Sequence, residues 1–492
     1  MPRNTFKTLV VLLLMLFNQN LLADDQTLSL LKELKAEIQT LKTNAEIANN
    51  RISELEKQLA QSQKPALVTT GSQQNAPATN NPTTPVTSNA ETTVPEKPAI
   101  RVGDVKGTFK IPGTDTSIGM GGFVKMDTMF SNVSAGRDKL GDQQLVFSQI
   151  PVGRAPGEHS QTTFLAKDSR LWFKSFTPSN WGDINTYMEF DFYGDPATYS
   201  YTPRLRHAYG SIGNFLAGQT WTTYTNISAS PDHLESGTSA GSLSTSRQPL
   251  VRWTQALNGF EIPIEVQAAL EAPRSRVWVP NSIEKNASND PANLDVSPVA
   301  DNFLTTPNAE RYPDLVARVN FKPEWGNLSF AALGRQIRYT QAKTGLEAGS
   351  WGGGLNVAGK INSLGLDTFR FMAHIGNGAG RYTTTTNTFE DAALSEQGDL
   401  SLIKTFGGMV SYQHWWNKQW RSNLTYGYAA ANQPGFVNPL LNQQVQSIHA
   451  NLIWSPISQT TLGMEYIFAE RELVTGQKGE LQRIQFSARY SF

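Results

Sequence analysis

The sequence predicts an all-β protein, an antiparallel transmembrane β-barrel of about sixteen strands preceded by an N-terminal coiled-coil helix. Two observations predict the barrel. From residue 101 to the last residue, apolar and polar side chains alternate in segments of about ten residues. The connections between these segments are alternately short and long, which is typical of barrels with tight turns at one end and extended loops at the other. Upstream of the barrel, a heptad repeat predicts the helix.

The composition fits this class and excludes several functions. Among 492 residues the chain has 42 Lys and Arg against 42 Asp and Glu, no Cys, and 39% hydrophobic residues. Without cysteine there is no disulfide framework, thiolate nucleophile or Cys-ligated metal. The zero net charge argues against a nucleic-acid binder, which needs a basic excess. A barrel explains the low hydrophobic content, because its apolar residues face lipid and its interior faces water, so that no large dry core is needed.

Three segments precede the barrel, which we place at residues 101–492. Arg3 and Lys7 stand before the apolar run 9–17, and the small residue Ala23 follows it, which predicts a secretory signal peptide at residues 1–23. A buried N-terminal helix is the alternative. Residues 61–100 are rich in Pro, Thr and Asn and predict an extended linker.

Residues 24–60 carry a heptad seam, in which apolar residues recur at alternating steps of three and four. In a parallel coil, Glu37 of one chain would meet Lys42 of the next. The pattern leaves open whether two or three chains associate, and a single amphipathic helix folded on the rest of the protein is the alternative. The seam consists of Leu31, Leu34, Ile38, Leu41, Ala45, Ala48, Ile52, Leu55 and Leu59.

The strands of the barrel are read from the alternation. After Gly259, for example, Phe260 and Ile262 on one face alternate with Glu261 and Pro263 on the other. A soluble sandwich of two sheets also alternates and is the alternative, but its loops need not alternate in length. The expected strands lie near residues 119–130, 164–176, 183–193, 203–211, 215–224, 247–254, 260–271, 312–321, 327–338, 352–361, 366–376, 405–414, 420–429, 446–454, 460–471 and 480–492, and the long connections at 131–160, 225–246, 272–311, 377–402 and 430–444.

Several segments carry a resemblance to a known family. They are residues 110–116 leading into 121–125, then 169–174, 204–210, 218–221 and 447–456, together with a last strand that ends on the aromatic Phe492. With the heptad segment, they resemble the DcaP-type outer-membrane porins. The resemblance implies a trimeric barrel of sixteen strands, a third loop folded into the lumen as a constriction, and a preference for anionic solutes such as dicarboxylates.

The alternation also predicts which charges face the lumen. Acidic residues such as Asp127, Glu189 and Asp191 point inward, but basic residues are more numerous and cluster in consecutive strands. Basic side chains attract anions into a water-filled pore, and Arg can bind a carboxylate in bidentate fashion. We therefore predict an anion path; the alternative is that these residues pair with inward acids and line a non-selective channel. The basic set is Lys125, Arg170, Lys174, Arg204, Arg206, Arg252, Arg318, Arg335 and Arg370.

The long connection 225–246 is the candidate constriction loop. It holds Asp232, His233 and Glu235, and Arg247 follows it. If it folds inward, its acids would stand opposite the basic wall and create a transverse field at the narrowest point. A solvent-exposed loop is the competing interpretation.

These features predict a passive porin in the outer membrane of a Gram-negative bacterium, with its coil in the periplasm. Its expected partners are membrane lipid, further copies of itself in a homotrimer and small anionic solutes. No cofactor, metal site or enzymatic activity is predicted, because the six His are scattered and Ser447 with His449 lacks a recognisable third partner. The second hypothesis is an envelope tether that reaches toward the cell wall through the coil.

Overall fold

The computed structural model describes Thr43 and residues 101–492, except residues 138–143, 154–155, 195–199, 238, 243–245, 281, 284–308, 342–343, 364 and 385–387. The predicted signal peptide, the heptad seam from Leu31 to Leu59 and the linker 61–100 lie outside the described residues. They therefore stay predictions. In the part of the chain that is described, no helix is both long enough and apolar enough to cross a membrane.

The described residues form a closed antiparallel barrel, which confirms the expected fold class and the count of sixteen strands. The last strand closes the barrel by pairing with the first, for example through Arg483 and Ser131. In chain order the strands are β1 Ser117–Arg137, β2 Glu158–Leu165 with Arg170–Thr177, β3 Ile184–Asp191, β4 Arg204–Ile212, β5 Phe215–Trp221, β6 Arg247–Leu257, β7 Ile264–Glu271, β8 Asp314–Phe321, β9 Gly326–Gln341, β10 Leu346–Asn362, β11 Thr368–Asn377, β12 Lys404–Trp415, β13 Trp420–Asn432, β14 Asn442–Trp454, β15 Thr460–Leu473 and β16 Lys478–Ser491.

Side chains alternate across the wall as the sequence predicts. On β1, Met120, Val124 and Met126 are about half exposed on the outer surface, while Lys125 and Asp127 are buried inside. Outward apolar side chains recur on the other strands, which gives the barrel the lipid-facing surface that a membrane requires. The connections 178–183, 213–214, 258–263, 322–325, 363–367, 416–419 and 455–459 are short turns at one end. The long loops lie at the other end, but there the connections from β9 to β10 and from β15 to β16 have only four residues each, so the predicted alternation in length does not hold at these two places.

Irregularities interrupt the ladder near the first strands, and two of them affect the direction or pairing of inward side chains. The two segments of β2 are separated at residues 166–169, where the Ser169 hydroxyl accepts a hydrogen bond from the Lys125 N–H and donates one to the Lys125 carbonyl. In β4, Glu189 pairs with His207 while the next residue, Phe190, pairs with Leu205, so that Arg206 is an extra residue. This β-bulge shifts the alternation by one residue, as bulges do.

A dry apolar cluster lies inside the barrel, contrary to the expectation that no such core is needed. Its wall consists of inward side chains at the long-loop ends of β13 to β16, including Val445 and Ile467. Water cannot hydrogen-bond to these side chains, and loop residues such as Phe147 and Phe389 cover them. The buried members are Val133, Leu145, Phe147, Ile150, Ala240, Trp278, Phe389, Ala393, Ile403, Ala429, Ala431, Val437, Leu441, Val445, Ile467, Ala469 and Leu481. The loops therefore fill this side of the interior.

Several loops enter the barrel, and we name two of them, L3 and L6, here. L3 comprises residues 222–246 between β5 and β6, and L6 comprises residues 378–403 between β11 and β12. L6 contains the strands Ala392–Leu394 and Leu400–Leu402, which form a small sheet with Val277–Trp278. The Gly241 N–H of L3 donates to Thr384 Oγ1 of L6 at 3.0 Å, so the two loops meet.

Candidate functional site

L3 crosses the interior of the barrel, so the inward interpretation of this connection is the one that the structure shows. Near its start, the Asn226 amide donates to Asn327 Oδ1 on β9 at 2.6 Å. Near its middle, the Leu234 N–H donates to Glu465 Oε2 on β15 at 2.7 Å. At Gly427 on β13 the backbones approach so closely that a Cβ would lie 2.0 Å from the Ala240 carbonyl oxygen. Glycine is required there by the contact with L3.

The acidic residues of L3 are neutralised by the wall that L3 contacts. Arg421 Nε on β13 lies 2.7 Å from Asp232 Oδ2. Arg483 Nη1 on β16 lies 2.5 Å from Glu235 Oε2, and both of these side chains are almost entirely buried. Each acid therefore has a guanidinium partner on the wall that L3 contacts. These acids are not free to form the expected transverse field with the basic wall of the preceding strands.

His233 belongs to a buried cluster under L3. Its ring stacks on that of His449, with centroids 4.2 Å apart and planes 11° from parallel. His449 Nδ1 lies 3.0 Å from Glu465 Oε1, and its Nε2 lies 3.2 Å from Ser447 Oγ. Burial, and then the neighbouring His449, lowers the pKa of His233 to about 3, so this ring is neutral at physiological pH.

The third partner that the sequence did not reveal for Ser447 and His449 is thus Glu465. The geometry has the order of a Ser–His–acid triad, but all three side chains are fully buried. The Ser447 hydroxyl also accepts the Ala240 N–H of L3 at 2.9 Å. L3 covers the Ser447 hydroxyl, so a substrate could not reach it. Through its hydrogen bond to Ala240, the cluster holds L3 in place.

In the same cluster, potential ligand atoms of His233, His449 and Glu465 lie within 4.8 Å of one another, which is close enough to consider a metal site. A metal bonds to an imidazole nitrogen in the plane of the ring, and two nearly parallel stacked rings cannot both point at one ion. Both nitrogens of His449 already have hydrogen-bonding partners. These residues therefore do not fit a metal centre, and they form a hydrogen-bonded cluster that attaches L3 to β14 and β15.

Three residues of the predicted basic path are buried and paired, which corrects their assignment to the pore lining. Lys125 lies 2.9 Å from Asp168 and donates to the Leu234 carbonyl of L3 at 2.6 Å. Arg206 Nε lies 2.5 Å from Glu189, and its Nη1 lies 2.8 Å from Asp191. Arg335 has no exposed side-chain surface and lies 2.9 Å from Asp391 of L6. Lys125 and Arg335 face the interior as predicted, but loops cover them.

The remaining basic residues are partly exposed inside the barrel. Arg170 lies 2.9 Å from Asp168, and Arg204 lies 2.6 Å from Asp191. The others have no carboxylate within 4.0 Å among the described residues; they are Lys174, Arg252, Arg318 and Arg370, together with Arg247 at the end of L3. Arg318 donates to the Thr225 carbonyl, and Arg370 donates to Gln413 Oε1 at 3.4 Å.

Sequence reasoning missed two parts of the interior. L6 was recognised only as a long connection, and no local pattern indicates that Asp391 pairs with Arg335. The inward aromatic residues were also missed: Trp172, Tyr187, His207 and Tyr209 lie on β2 to β4. Strict alternation would have directed His207 and Tyr209 outward, and the bulge in β4 turns them inward.

The closed barrel agrees with the comparison to known families. The profile of a porin subfamily matches residues 93–469. The chain belongs to this porin subfamily. Among solved structures, the outer membrane channel DcaP of Acinetobacter baumannii is similar to this porin with a TM-score of 0.62 at 21% identity, covering 78% of this chain and 99% of that one.

Two further solved structures are similar to this porin at lower scores. OmpT of Vibrio cholerae in its trimer form has a TM-score of 0.46 at 11% identity, covering 77% of this chain and 99% of its own. An anion-selective porin from Comamonas acidovorans has a TM-score of 0.44 at 10% identity, covering 77% of this chain and 100% of its own. No curated protein matches the sequence. Family and fold make this protein an outer-membrane porin for passive diffusion, a channel rather than an enzyme.

Proposed function

We propose that this porin conducts small organic anions, dicarboxylates among them, along the inner wall of β2 to β8. The observation that carries the proposal is the imbalance of charge on that wall. Lys174, Arg247, Arg252 and Arg318 are partly exposed and have no carboxylate within 4.0 Å among the described residues. Unpaired cations in a water-filled lumen with a low-dielectric wall raise the local concentration of anions.

The acids near this path do not cancel it. Glu189 and Asp191 are bound by Arg206 and Arg204, and Asp168 is bound by Lys125 and Arg170. Glu271 on β7 lies buried, where it accepts hydrogen bonds from Thr222, Thr223 and Gln248. Carboxylates held in this way are screened from a passing solute, whereas the unpaired cations are not.

The loops support the same route. The middle of L3 docks on β13 to β16 and L6 covers Arg335, so loops fill the apolar side of the interior. The start of L3 contacts β7 to β9, but Lys174, Arg247, Arg252 and Arg318 keep part of their surface accessible. Arg252 and Arg318 stand on different strands of this basic side. Two guanidinium groups at separate positions can meet the two carboxylates of one solute, which supports dicarboxylates as the preferred class.

Reversal potentials in a potassium chloride gradient across a planar bilayer test this proposal. We expect the wild-type porin to prefer chloride, and the double variant Arg247→Gln, Arg252→Gln to bring the permeability ratio close to one. Lys404→Gln removes the same charge from an exposed position at the start of β12 and serves as the control. Cation preference in the wild type, or an unchanged ratio in the double variant, would overturn the proposal.

The homotrimer is also part of this proposal. Strands β3, β4 and β5 have 8, 9 and 7 residues, while β9 and β10 have 16 and 17. A transmembrane strand needs about 9 to 11 residues to cross the hydrocarbon layer. In a trimer, contact with neighbouring copies would cover the outer surface of the short strands β3 to β5. The mass of the detergent-solubilised protein checks it: three chains are expected, and a single chain contradicts it.

A further inference from the structure

We propose that the inner wall of β2 to β5 carries a binding strip for planar, ring-bearing carboxylate anions. This inference rests on the proposed anion path and names a solute class for it. The strip consists of Trp172, Tyr187, His207, Tyr209 and Trp221, and cations without carboxylate partners flank it.

The rings form a continuous series across four neighbouring strands. Trp172 stacks on Tyr187 with centroids 6.3 Å apart and planes 23° from parallel. Tyr187 lies 5.8 Å from Tyr209 and 6.1 Å from His207, and His207 lies 5.3 Å from Trp221. The barrel makes room for the first ring, since a Cβ at Gly121 on β1 would lie 2.5 Å from the Trp172 indole.

Neither lipid nor protein covers these rings completely. Outward aromatic side chains such as Phe173 meet lipid, and the aromatic side chains of the interior cluster, such as Phe389, are covered by loops. Trp172, Tyr187, Tyr209 and Trp221 instead keep part of their surface accessible inside the lumen. Apolar ring surface left in contact with water is available for stacking with a planar solute.

Cations are placed against the same rings. Lys174 Nζ lies 5.5 Å from the Trp172 ring centroid, and Arg247 Cζ lies 4.6 Å from that of Trp221. Neither cation has a carboxylate within 4.0 Å among the residues the structure describes. Glu189, which accepts the Tyr187 hydroxyl at 2.9 Å, is bound by Arg206.

The combination selects one solute class. An aliphatic dianion can use the cations but not the rings, and a neutral ring compound can use the rings but loses the charge interaction. A planar carboxylate uses both, because its ring can stack on Trp172 or Tyr187 while its carboxylate meets Lys174 or Arg247.

Single-channel recordings with two matched dianions test the strip. Benzene-1,4-dicarboxylate and hexanedioate carry the same charge, and only the first has a ring. We expect benzene-1,4-dicarboxylate to interrupt the current of the wild-type channel for about fivefold longer or more, as stacking on aromatic side chains allows. Trp172→Leu should remove most of this difference, and Trp172→Phe should retain it. Trp351→Leu, on the outer surface of β10, is the control and should leave it unchanged.

The outcomes separate this inference from the proposed function. Equal interruption times for both dianions in a chloride-preferring channel would overturn the strip and leave the anion path intact. A difference that persists in Trp172→Leu and also in Tyr209→Leu would overturn the strip as well. A wild-type channel that prefers cations would overturn the anion path, and the strip with it.

Discussion

Glu235 illustrates how one carboxylate positions a loop inside the barrel. Its Oε1 accepts the backbone N–H groups of Leu145 and Gly237, while its Oε2 meets Arg483. The residue thereby joins the loop after β1, L3 and the wall strand β16. Both side chains of the Glu235–Arg483 pair are almost entirely buried, so removal of one charge is costly for the other.

Neutralising Glu235 should therefore destabilise the barrel strongly. In Glu235→Gln the buried Arg483 keeps its charge but loses the carboxylate of Glu235, and we expect the free energy of unfolding to fall by about 3–5 kcal/mol. Glu347→Gln removes the acid of a pair with Arg338 in which Glu347 is 61% exposed, and it should cost less than about 1 kcal/mol. Urea unfolding in lipid vesicles measures both values. Similar small losses in the two variants would contradict the role given to Glu235.

At the scale of elements, L6 lies inside the barrel beside L3. Asp391 is its main anchor, because its carboxylate meets Arg335 at 2.9 Å and accepts the Arg276 N–H at 2.8 Å. The Tyr382 hydroxyl donates to Asp314 on β8 at 2.8 Å and supports the same attachment. The loop is thus held on the wall of β8 and β9 by polar contacts inside the barrel.

Loss of this anchor should open the channel. In Asp391→Ala, Arg335 loses one of its two carboxylate partners and L6 loses its main anchor, so we expect higher single-channel conductance and more current noise than in the wild type. Asp399→Ala, in the same loop but without an ion pair among the described residues, provides the comparison. Unchanged conductance in Asp391→Ala would show that L6 does not limit the flow.

At the scale of the whole molecule, we propose that the barrel and the segment before it have separable roles. The pore is built from residues 101–492, and the coil and linker predicted for residues 24–100 lie, apart from Thr43, outside the described residues. If the heptad segment 24–60 serves as an envelope tether, its removal should affect attachment and leave diffusion unchanged.

Deletion of residues 24–99, with the signal peptide kept, tests this division. We expect unchanged solute flux in reconstituted vesicles and weaker association of the outer membrane with the cell wall. Flux is measured by vesicle swelling, and association by the fraction of the porin that sediments with the cell wall. A loss of flux would show that the segment is needed for the pore, and unchanged association would contradict the tether.

Much of the fold could be predicted because its determinants are local. Alternation with a period of two on β1, between Val124 or Met126 outside and Lys125 or Asp127 inside, follows from strand geometry and from the need to present apolar groups to lipid. The site was only partly predictable. The inward direction of Lys125 and Arg335 followed from alternation, but their burial did not, because it depends on loops that approach from elsewhere in the chain.

By itself, the sequence determined the barrel, its sixteen strands and the face that most strands turn to lipid, because these depend on residues that are neighbours along the chain. Only the tertiary structure decided which charges remain free. The contact of Leu234 with Glu465 and the pair of Glu235 with Arg483 join residues more than 200 positions apart, and the bulge at Arg206 reverses the alternation that follows it. Pairing and burial across such distances, rather than the balance of charged residues in the composition, set the electrostatics of the lumen.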